Sequence, residues 1–444
     1  MQNTCTRNQG WTGPPRKWCS TSAPNPPGTA TAVPLFLFRV TRAPELRQDS
    51  PAGGAGRTPR PFGSSSTPHL ATRALSYSAS PSCWRRMASS SSSPAPAPAG
   101  ESLRQKRILS SKLYLDVPSS KAPVVYSPAY DISFLGFEKL HPFESAKWGR
   151  ICRYLTREGH LEKKKLVEPL EACKEDLLVV HTEKYLNSLK SSYRVASIVE
   201  VPPVSLVPNW IVHKKLLYPF RKQVGGSILS AKLALERGWS INVGGGFHHC
   251  SAEEGGGFCA YADISLCIQF AFVRLNISSV LIIDLDAHQG NGHEKDFAND
   301  GRVYILDMYN AGIYPFLYFG PFQDFTAKQY IDQKVELVSG TKTDEYLEQL
   351  DNALEVCKSR FQPQLIVYNA GTDILDGDPL GKLEISPEGV VTRDEKVFRF
   401  AKDQNIPVLM LTSGGYMKSS ARVIADSIIN LSNKNLIELG NQLG

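Results

Sequence analysis

The sequence predicts an α/β fold: a single three-layer α/β/α domain built on a mostly parallel central sheet. From Val124 onward, short runs rich in β-branched residues alternate with longer helical patterns. This alternation is typical of a parallel sheet covered by helices on both faces. Polar motifs follow directly on several of the apolar runs, where a parallel sheet places functional residues. Hydrophobic residues make up 42% of the 444 residues, which is enough for one large core.

The predicted elements alternate along the chain. Strands are predicted at 124–126, 177–181, 241–244, 280–284, 303–307, 365–369 and 408–412. Helices are predicted at 220–237, 258–275, 343–360, 386–402 and 419–431. Because the strands are expected to run parallel, the residues that follow them should collect at one edge of the sheet.

Residues 1–120 differ in composition from the rest, being dense in Pro, Ser, Gly, Ala and Arg. Such a segment cannot bury enough apolar surface to offset its chain entropy, so we predict a disordered extension there. Its Arg- and Ser-rich, acid-poor composition is also that of an organelle transit peptide. The alternative is a dispensable tail, with translation able to start at Met87. We predict a folded domain at 121–435 and a short tail at 436–444.

The basic balance of the chain belongs to its N-terminal part. Residues 1–100 carry 11 Lys/Arg and 2 Asp/Glu, which leaves 39 and 41 of the total 50 and 43 for the remainder. We therefore expect no direct nucleic-acid binding by the folded domain. The nine cysteines form no CxxC pair, which favours reduced thiols in an intracellular protein. No apolar run reaches the roughly 18 residues that a membrane-spanning helix needs.

The segment 284–293 reads DLDAHQGNGH and follows the apolar run 280–283. Side chains at i and i+2 of an extended segment share a face, so Asp286 and His288 can bind one cation together. Asp284 has the same parity and lies behind them, where a carboxylate would orient the ligands. One further ligand would complete a catalytic metal site that keeps a position open for water. The segment predicts a metal hydrolase.

Asp373 follows another predicted strand and is the natural third protein ligand, although aspartate is also common after strands as a turn residue. Asp286, His288 and Asp373, with water completing the coordination, suit Zn²⁺. Oxygen-rich ligation also accommodates Fe²⁺, Co²⁺ or Mn²⁺, and ligand identity alone does not choose among them.

His248 and His249 follow three glycines at 244–246, which free the backbone to turn both rings toward a pocket. Water activated by a metal needs a base, and the leaving group needs an acid; imidazole suits both tasks near neutral pH. We assign His249 as general base and acid, and His248, held by Asp284, as a residue that tunes the electrostatics. The alternative is a pair of histidines that are merely hydrogen-bonded at a domain edge.

Tyr416 follows two glycines, which let the chain approach a pocket closely. A phenol donor opposite a metal would polarise a carbonyl and stabilise a tetrahedral oxyanion. The alternative is ordinary aromatic packing in the core. Gly257 with Phe258, and Tyr314 further along, suit the walls of a narrow channel.

Five blocks together resemble the histone deacetylase branch of the arginase/deacetylase superfamily. They are GGGFHHC (244–250), GGGFCAYAD (255–263), DLDAHQGNG (284–292), NAGTDILDGDPLG (369–381) and TSGGY (412–416). The similarity spans roughly residues 124–431. The wider segments 125–143, 236–250 and 284–297 resemble class IV of that family more than classes I or II.

The resemblance implies a zinc-dependent hydrolase that removes acyl groups from the ε-amine of lysine in histone tails or other proteins. It implies the metal ligands, base and transition-state donor already assigned, and it adds Leu380 to the channel wall beside Phe258 and Tyr314. It also implies a structural K⁺ near Asp284, Asp286 and His288, with Asp307 nearby. Possible partners are corepressor complexes, and the expected location is the nucleus or cytoplasm. If the extension is a transit peptide, the location is a plastid or mitochondrion.

Two departures from the class I pattern stand out. Asn291 takes the place of the aspartate that would back His249, and an amide stabilises imidazolium less than a carboxylate does. This substitution belongs to the class IV pattern. Residues 315–325 are longer and more aromatic than the corresponding segment of the family. They either reshape the pocket mouth or represent an alternatively spliced or misannotated insertion.

Two other functions are compatible with parts of this pattern. A binuclear manganese ureohydrolase on the same fold needs further carboxylates near the metal, but the neighbouring positions hold Gly290, Gly371 and Leu375. A catalytically impaired corepressor would use the fold as a binding surface. The presence of all assigned ligands, both histidines and Tyr416 argues against the corepressor.

Overall fold

The computed structural model describes residues 99–134, 136, 140, 144–315 and 326–440. Within them the strands are β1 (Val124–Val125), β2 (Trp239–Asn242), β3 (Val280–Asp284), β4 (Val303–Asn310), β5 (Gln333–Leu337), β6 (Leu365–Asn369) and β7 (Val408–Leu411). They form one sheet in the order β1-β2-β7-β6-β3-β4-β5, and every neighbouring pair is parallel. The predicted α/β fold with a mostly parallel sheet is confirmed.

Twelve α-helices accompany the sheet in the same part of the chain. They are α1 (Ala99–Ser110), α2 (Lys147–Arg157), α3 (Lys174–Leu177), α4 (Glu183–Ser188), α5 (Ser192–Ile198), α6 (Asn209–Val212), α7 (Tyr218–Arg237), α8 (Asp263–Arg274), α9 (Asn291–Asp296), α10 (Thr343–Arg360), α11 (Pro387–Asp403) and α12 (Ser420–Asn433). One group packs around α7 and α8, joined by α1, and a second contains α2, α10, α11 and α12. Two such groups are the helical layers of a three-layer domain.

Local sequence explains where the long helices begin and end. Ser386 caps α11 by accepting a hydrogen bond from Gly389 N at 3.0 Å, and Pro387 occupies the first helical position. Gly238 ends α7 with φ of 81°, a left-handed conformation that glycine adopts without strain. The fully buried residues of β3 explain why its sequence is an uninterrupted apolar run up to Asp284.

The strands of the structure differ from the predicted ones at two places. The predicted strand at 177–181 is wrong: α3 ends at Leu177 and a turn follows. The Asp176 carboxylate accepts a hydrogen bond from Cys173 N at 2.8 Å, which starts a short helix where the apolar run alone indicated a strand. In the other direction, β5 was not predicted. Among the described residues it pairs with β4 alone, and the polar residues of QKVEL are typical of an edge strand.

Buried residues are found on both sides of the predicted domain 121–435. On the N-terminal side lies α1, and Ile108 and Leu113 are buried in the core. Arg274 of α8 binds the end of α1: its Nη1 donates hydrogen bonds to the carbonyls of Ile108 at 3.3 Å and Ser111 at 3.2 Å. At the other end, Ile437 and Leu439 of the predicted tail are also buried. Residues 1–98 lie outside the described part, so the disorder predicted for them stays a prediction.

The strand register brings the carboxyl ends of the central strands into one row. Asn242 of β2 lies beside Leu411 of β7, which lies beside Asn369 of β6. Asn369 lies beside Asp284 of β3, which in turn lies beside Asp307 of β4. The segments that leave β2, β7, β6 and β3 therefore start from neighbouring points. These are the segments that carry the predicted site residues.

The cysteines and the helix lengths of the described part add two facts. Each of its six cysteines, Cys152, Cys173, Cys250, Cys259, Cys267 and Cys357, is free. No helix described for this chain is both long and apolar enough to cross a membrane.

Candidate active site

The three predicted metal ligands converge at the sheet edge. Each of Asp286, His288 and Asp373 offers one donor atom, and these three atoms lie within 4.8 Å of one another. All three residues are buried. His288 Nδ1 lies 2.8 Å from Asp373 Oδ2 and 3.2 Å from Asp286 Oδ1. Two carboxylates and one imidazole form a donor set that Zn²⁺ accepts, with a position left for water or substrate.

The backbone around these ligands holds the carboxylates in place. Ser413 Oγ and Gly414 N both donate to Asp286 Oδ2 at 3.0 Å, and Ala287 N donates to Asp373 Oδ1 at 2.9 Å. Gly371 and Gly414 have no room for a side chain, because a Cβ at either position would collide with Asp286 Oδ2. The carboxylates are thus oriented by fixed donors, which is how proteins preorganise a metal site. The residues present fit a zinc ion.

Asp284 organises the residues behind the ligands. Its Oδ2 lies 2.9 Å from His248 Nδ1 and 2.8 Å from His293 Nε2, and its Oδ1 accepts a hydrogen bond from Asn369 Nδ2 at 2.9 Å. Burial alone would lower the pKa of His248, but the carboxylates of Asp284 and Asp286 outweigh burial and raise that pKa to about 9. The pairing of His248 with Asp284 is the one expected from the sequence.

His249 has a different environment from its neighbour. Its Nδ1 lies 2.8 Å from Asn291 Oδ1, so an amide rather than a carboxylate backs the ring. Burial lowers the pKa of His249 well below its usual value, and the positive charge of His248 and of His288 acts in the same direction. Gly257 lies against the ring, since a Cβ there would collide with His249 Cδ2. A neutral imidazole in this position is suited to accept a proton.

Two cavities meet at these residues. The inner cavity, of about 30 Å³, is bordered by His248, Phe258, Asp286 and Trp148. The mouth cavity, of about 240 Å³, is bordered by His288, Tyr314, Leu380 and Glu200. His249, Gly257 and Tyr416 border both. The predicted channel residues therefore line one path that leads to the metal ligands.

Aromatic contacts shape this path. The Tyr314 ring stands edge-on to His249 with 4.8 Å between ring centroids, and the Tyr416 ring lies 6.1 Å from that of His288. Burial raises the pKa of Tyr416 well above its usual value, and the carboxylates of Asp373 and Asp286 add to this effect. The Tyr416 phenol therefore stays protonated and can donate a hydrogen bond.

Several residues at the site were not predicted. Lys147, from α2, is buried and donates from Nζ to the carbonyls of Ser413 and Gly414. Burial lowers the pKa of Lys147 to about 8, although Asp373 and Asp286 oppose that shift. Trp148 follows it and borders the inner cavity. No motif marks these residues, because a lysine bonded to backbone carbonyls leaves no sequence pattern.

Asp378 was also missed, although it lies inside the block 369–381. Its carboxylate accepts hydrogen bonds from Tyr416 N at 2.9 Å, Leu380 N at 3.0 Å and Gly381 N at 3.2 Å. It therefore fixes the backbone of the predicted oxyanion donor and of one channel residue together. The spacing Asp-x-Leu-Gly, typical of an Asx turn, is the signal that could have found it.

A second acidic group lies beside the first. Donor atoms of Asp284, His293 and Asp307 lie within 4.8 Å of one another, and all three residues are buried. Asp307 Oδ1 has no hydrogen-bond partner among the described residues. This group contains Asp284 and Asp307, near which the family resemblance implied K⁺, and a buried carboxylate oxygen without a partner fits a cation. It shares no residue with the group of Asp286, His288 and Asp373, so the two groups do not form the bridged pair of a binuclear enzyme.

Part of one prediction falls outside the described residues. Of the aromatic segment 315–325, only Pro315 is described. The effect of that segment on the pocket mouth stays a prediction.

Three comparisons with known proteins agree with this geometry. Residues 141–431 match the family model of the histone deacetylase domain. Histone deacetylase 2 of Arabidopsis thaliana is 69% identical over 338 residues, which cover 76% of this chain and 86% of that protein. Histone deacetylase 8 of Xenopus tropicalis is 26% identical over 269 residues, covering 58% of this chain and 70% of that protein.

A solved structure shares the fold. It is a crystal structure of an HDAC homolog complexed with SAHA, with a TM-score of 0.54 and 23% sequence identity. The match covers 71% of this chain and 84% of that one. With the family model matching well over half of the sequence, the chain belongs to the histone deacetylase family.

Proposed function

We propose that this protein is a zinc-dependent lysine deacylase that hydrolyses the amide of N6-acyl-lysine in histones or other proteins. The observation that carries the proposal is the convergence of Asp286, His288 and Asp373 on the cavity path that His249 and Tyr416 border. A ligand set, a base and an oxyanion donor in one place are the parts that metal-assisted amide hydrolysis needs.

The shape of the path supports an acyl-lysine substrate. The mouth cavity is walled by Tyr314 and Leu380 and ends at the ligand His288. Such walls suit the apolar stem of a lysine side chain, which would carry its acyl carbonyl to the metal ligands. The inner cavity of about 30 Å³ has room for about one water molecule.

The chemistry follows from the positions of the side chains. A Zn²⁺ ion held by Asp286, His288 and Asp373 would act as a Lewis acid toward the acyl carbonyl and would acidify a water molecule. His249 accepts the proton of that water as its oxygen bonds to the carbonyl carbon. Tyr416 donates a hydrogen bond to the developing oxyanion. When the C–N bond breaks, the proton passes from His249 to the lysine amine, leaving a free lysine and a carboxylate.

We propose class IV as the branch of the family. The contact of His249 with the Asn291 amide supports this assignment, as does the similarity of segments 125–143, 236–250 and 284–297 to that class. We also propose that a cation such as K⁺ binds at Asp284 and Asp307, because Asp307 Oδ1 is buried without a partner in the described part of the chain.

Partners and location are proposals that rest on the family alone. Protein substrates carrying acyl-lysine and corepressor complexes are the expected partners, and the nucleus or cytoplasm is the expected location. Imaging fluorescent fusions of the full chain and of a form that starts at Met87 tests the alternative of a plastid or mitochondrion. An organelle signal that the Met87 form loses would identify the extension as a targeting segment.

The central experiment measures hydrolysis of an acetyl-lysine peptide by the purified protein together with its zinc content. Asp286→Ala is expected to lose both. His249→Ala is expected to keep zinc and lose activity, which separates the loss of the base from the loss of the metal. Equal rates in the unmodified protein and Asp286→Ala would contradict the enzyme and favour the impaired corepressor.

A further inference from the structure

A second cavity lies apart from the catalytic path. It has a volume of about 370 Å³, within the range of cavities that hold small molecules. We call it the basic pocket and define it by Lys174, Lys190, His213, Arg221 and Tyr261, with an apolar wall that includes Leu177, Leu186 and Leu189. None of these residues borders the inner or the mouth cavity.

Positive charge dominates the lining of the basic pocket. The lining contains Lys174, Lys190 and Arg221 and one acid, Glu171, to which Arg221 Nε donates a hydrogen bond at 2.7 Å. Lys174 Nζ is paired at 2.6 Å with Glu183, which lies outside the lining, so Lys190 and Arg221 supply the charge for a ligand. This excess is notable because residues 101–444 carry fewer Lys/Arg than Asp/Glu. The positive field reaches His213, whose pKa is lowered by burial and then by Arg221 and Lys190.

Hydrogen-bond donors remain for a ligand. Arg221 Nη1 lies 3.4 Å from the hydroxyl of the buried Tyr261, which is a long contact. Lys190 is exposed, and no hydrogen bond or ion pair of its Nζ is found among the described residues, although its charge, after that of Lys174 and Arg107, helps to lower the pKa of Glu183. A guanidinium held by Glu171 on one side and a lysine across an apolar wall form a site for an anion with an apolar body.

The basic pocket shares a structural element with the catalytic path. Tyr261 belongs to the loop 255–262, which precedes α8, and the same loop supplies Gly257 and Phe258 to the inner cavity. From α4, Tyr185 OH holds this loop by donating to Ala260 O at 2.8 Å. The loop is therefore bordered by the basic pocket on one side and by the channel on the other.

A second connection runs through α7. Phe220 packs edge-on against both Phe247 and Phe258, with ring centroids 5.1 Å and 5.4 Å apart. Phe247 immediately precedes His248, and Arg221 immediately follows Phe220. A ligand bound to Arg221 contacts the residue that follows Phe220, and the Phe220 ring packs against Phe258 of the channel wall. The π-helical turn His213–Leu217, which precedes α7, is a feature often found at functional sites.

We propose that the basic pocket binds a small organic anion, a carboxylate or a phosphate monoester with an apolar body, and that its occupancy changes turnover through loop 255–262. The carboxylate or phosphate group pairs with Arg221 and Lys190, and the apolar body lies against Leu186 and Leu189. Binding is a property of this pocket alone, whereas the change in turnover rests on the proposed deacylase activity.

Calorimetric titration tests the site with three probes: hexanoate, hexyl phosphate and neutral hexanol. We expect saturable binding of at least one of the two anions and none of hexanol. Lys190→Gln and Arg221→Gln should each weaken that binding by about tenfold, the effect of one lost charge-assisted hydrogen bond. Lys184→Gln, an exposed lysine of α4 outside the pocket, serves as the matched control and should bind normally. A carboxylate binds metals too, so the titration is repeated in Asp286→Ala, where binding should persist.

Initial deacylation rates at saturating anion test the coupling. We expect a change of at least about twofold in kcat or KM, absent in Lys190→Gln, because ordering a loop on one side biases the wall it presents on the other. Equal binding by Lys190→Gln and Lys184→Gln, or loss of binding in Asp286→Ala, would overturn the site. Normal binding with unchanged kcat and KM would overturn the coupling, and an inactive protein that still binds the anion would count only against the deacylase proposal.

Discussion

His249 Nδ1 lies 2.8 Å from the amide oxygen of Asn291, while its neighbour His248 lies 2.9 Å from the carboxylate of Asp284. The two adjacent imidazoles are thus backed by groups of different charge. The carboxylates of Asp284 and Asp286 outweigh burial and raise the pKa of His248 to about 9. Burial, together with the charges of His248 and His288, holds the pKa of His249 well below its usual value, and the hydrogen bond with Asn291 opposes this only in part. One ring carries a proton at neutral pH, and the other is free to accept one.

Asn291→Asp should change the pH dependence of turnover. A carboxylate beside His249 stabilises its protonated form and raises its pKa. Because a base must be neutral to act, the acidic limb of the kcat/KM profile is expected to move to higher pH by about one unit. Zinc content serves as the control and should stay unchanged. An acidic limb at the same pH as in the unmodified protein would argue that His249 is not the base.

Tyr416→Phe removes one hydroxyl from the junction of the two cavities. If the phenol stabilises the oxyanion, kcat should fall by roughly 10²- to 10³-fold while the zinc content stays the same. The measurement is steady-state kinetics on an acetyl-lysine peptide together with metal analysis. Turnover close to that of the unmodified protein would assign Tyr416 to packing alone.

Gly414→Ala should weaken metal binding. Its Cβ would lie 2.6 Å from Asp373 Oδ2 and would collide with Asp286 Oδ2, so both carboxylates must shift. Gly301→Ala is the matched control, since its Cβ would meet no atom within 4 Å. Zinc affinity from competition with a chromophoric chelator should drop by about tenfold or more in Gly414→Ala alone, the effect expected of disturbing groups that orient ligands. Equal affinities would mean that the carboxylates adapt freely.

His181 should make the fold sensitive to acid. Its Nε2 accepts a hydrogen bond from Ala262 N at 3.0 Å, and its Nδ1 lies 3.2 Å from Ala252 O, so the neutral ring is satisfied on both sides. Burial lowers its pKa from 6.5 to about 4. The unfolded chain therefore takes up a proton first as pH falls, and stability present above pH 6.5 is lost on approaching pH 4.

For His181 alone, the free energy of unfolding should fall by about 2 kcal/mol between pH 7.5 and pH 5. Urea denaturation at both pH values measures it, and His181→Gln should reduce the difference. His160→Gln, at a histidine that is not fully buried, is the control and should leave the difference unchanged. Equal pH dependence in the His181 variant would show that another group controls acid stability.

The helix α1 should contribute to stability although it lies in the region predicted to be disordered. Ile108 is fully buried, whereas Leu109 beside it is 58% exposed. Ile108→Ala is expected to cost about 2–4 kcal/mol of unfolding free energy, and Leu109→Ala well under 1 kcal/mol. Chemical denaturation of both variants checks this. Similar small effects would mean that α1 packs only loosely.

The convergence of the three candidate metal ligands was predictable because their spacing is local. Asp286 and His288 share one face of an extended segment, and the end of a parallel strand fixes where that face points. The same reasoning placed Asp373, since β6 is the strand next to β3. Because β3 and β6 are neighbours in the sheet, the residues that follow the two strands lie together.

Other parts depend on contacts that no local pattern encodes. Lys147 reaches the carbonyl of Ser413 across 266 positions of the chain, and any residue offers a carbonyl. The strand predicted at 177–181 was wrong because a short apolar run can form either a strand or a short capped helix. The polar edge strand β5 was missed for the opposite reason, since it lacks an apolar run.

The single carboxylate of Asp284 is hydrogen-bonded to the side chains of His248, His293 and Asn369. A change at any of these positions alters the charge that the other two experience, so such positions are expected to covary among relatives. His293 and Asp307 are the informative pair, because each is a buried polar group beside the same aspartate. A relative with an apolar residue at 293 that keeps the acid at 307 would bury two neighbouring carboxylates with no imidazole beside them, and we expect such a relative to need a bound cation for its fold.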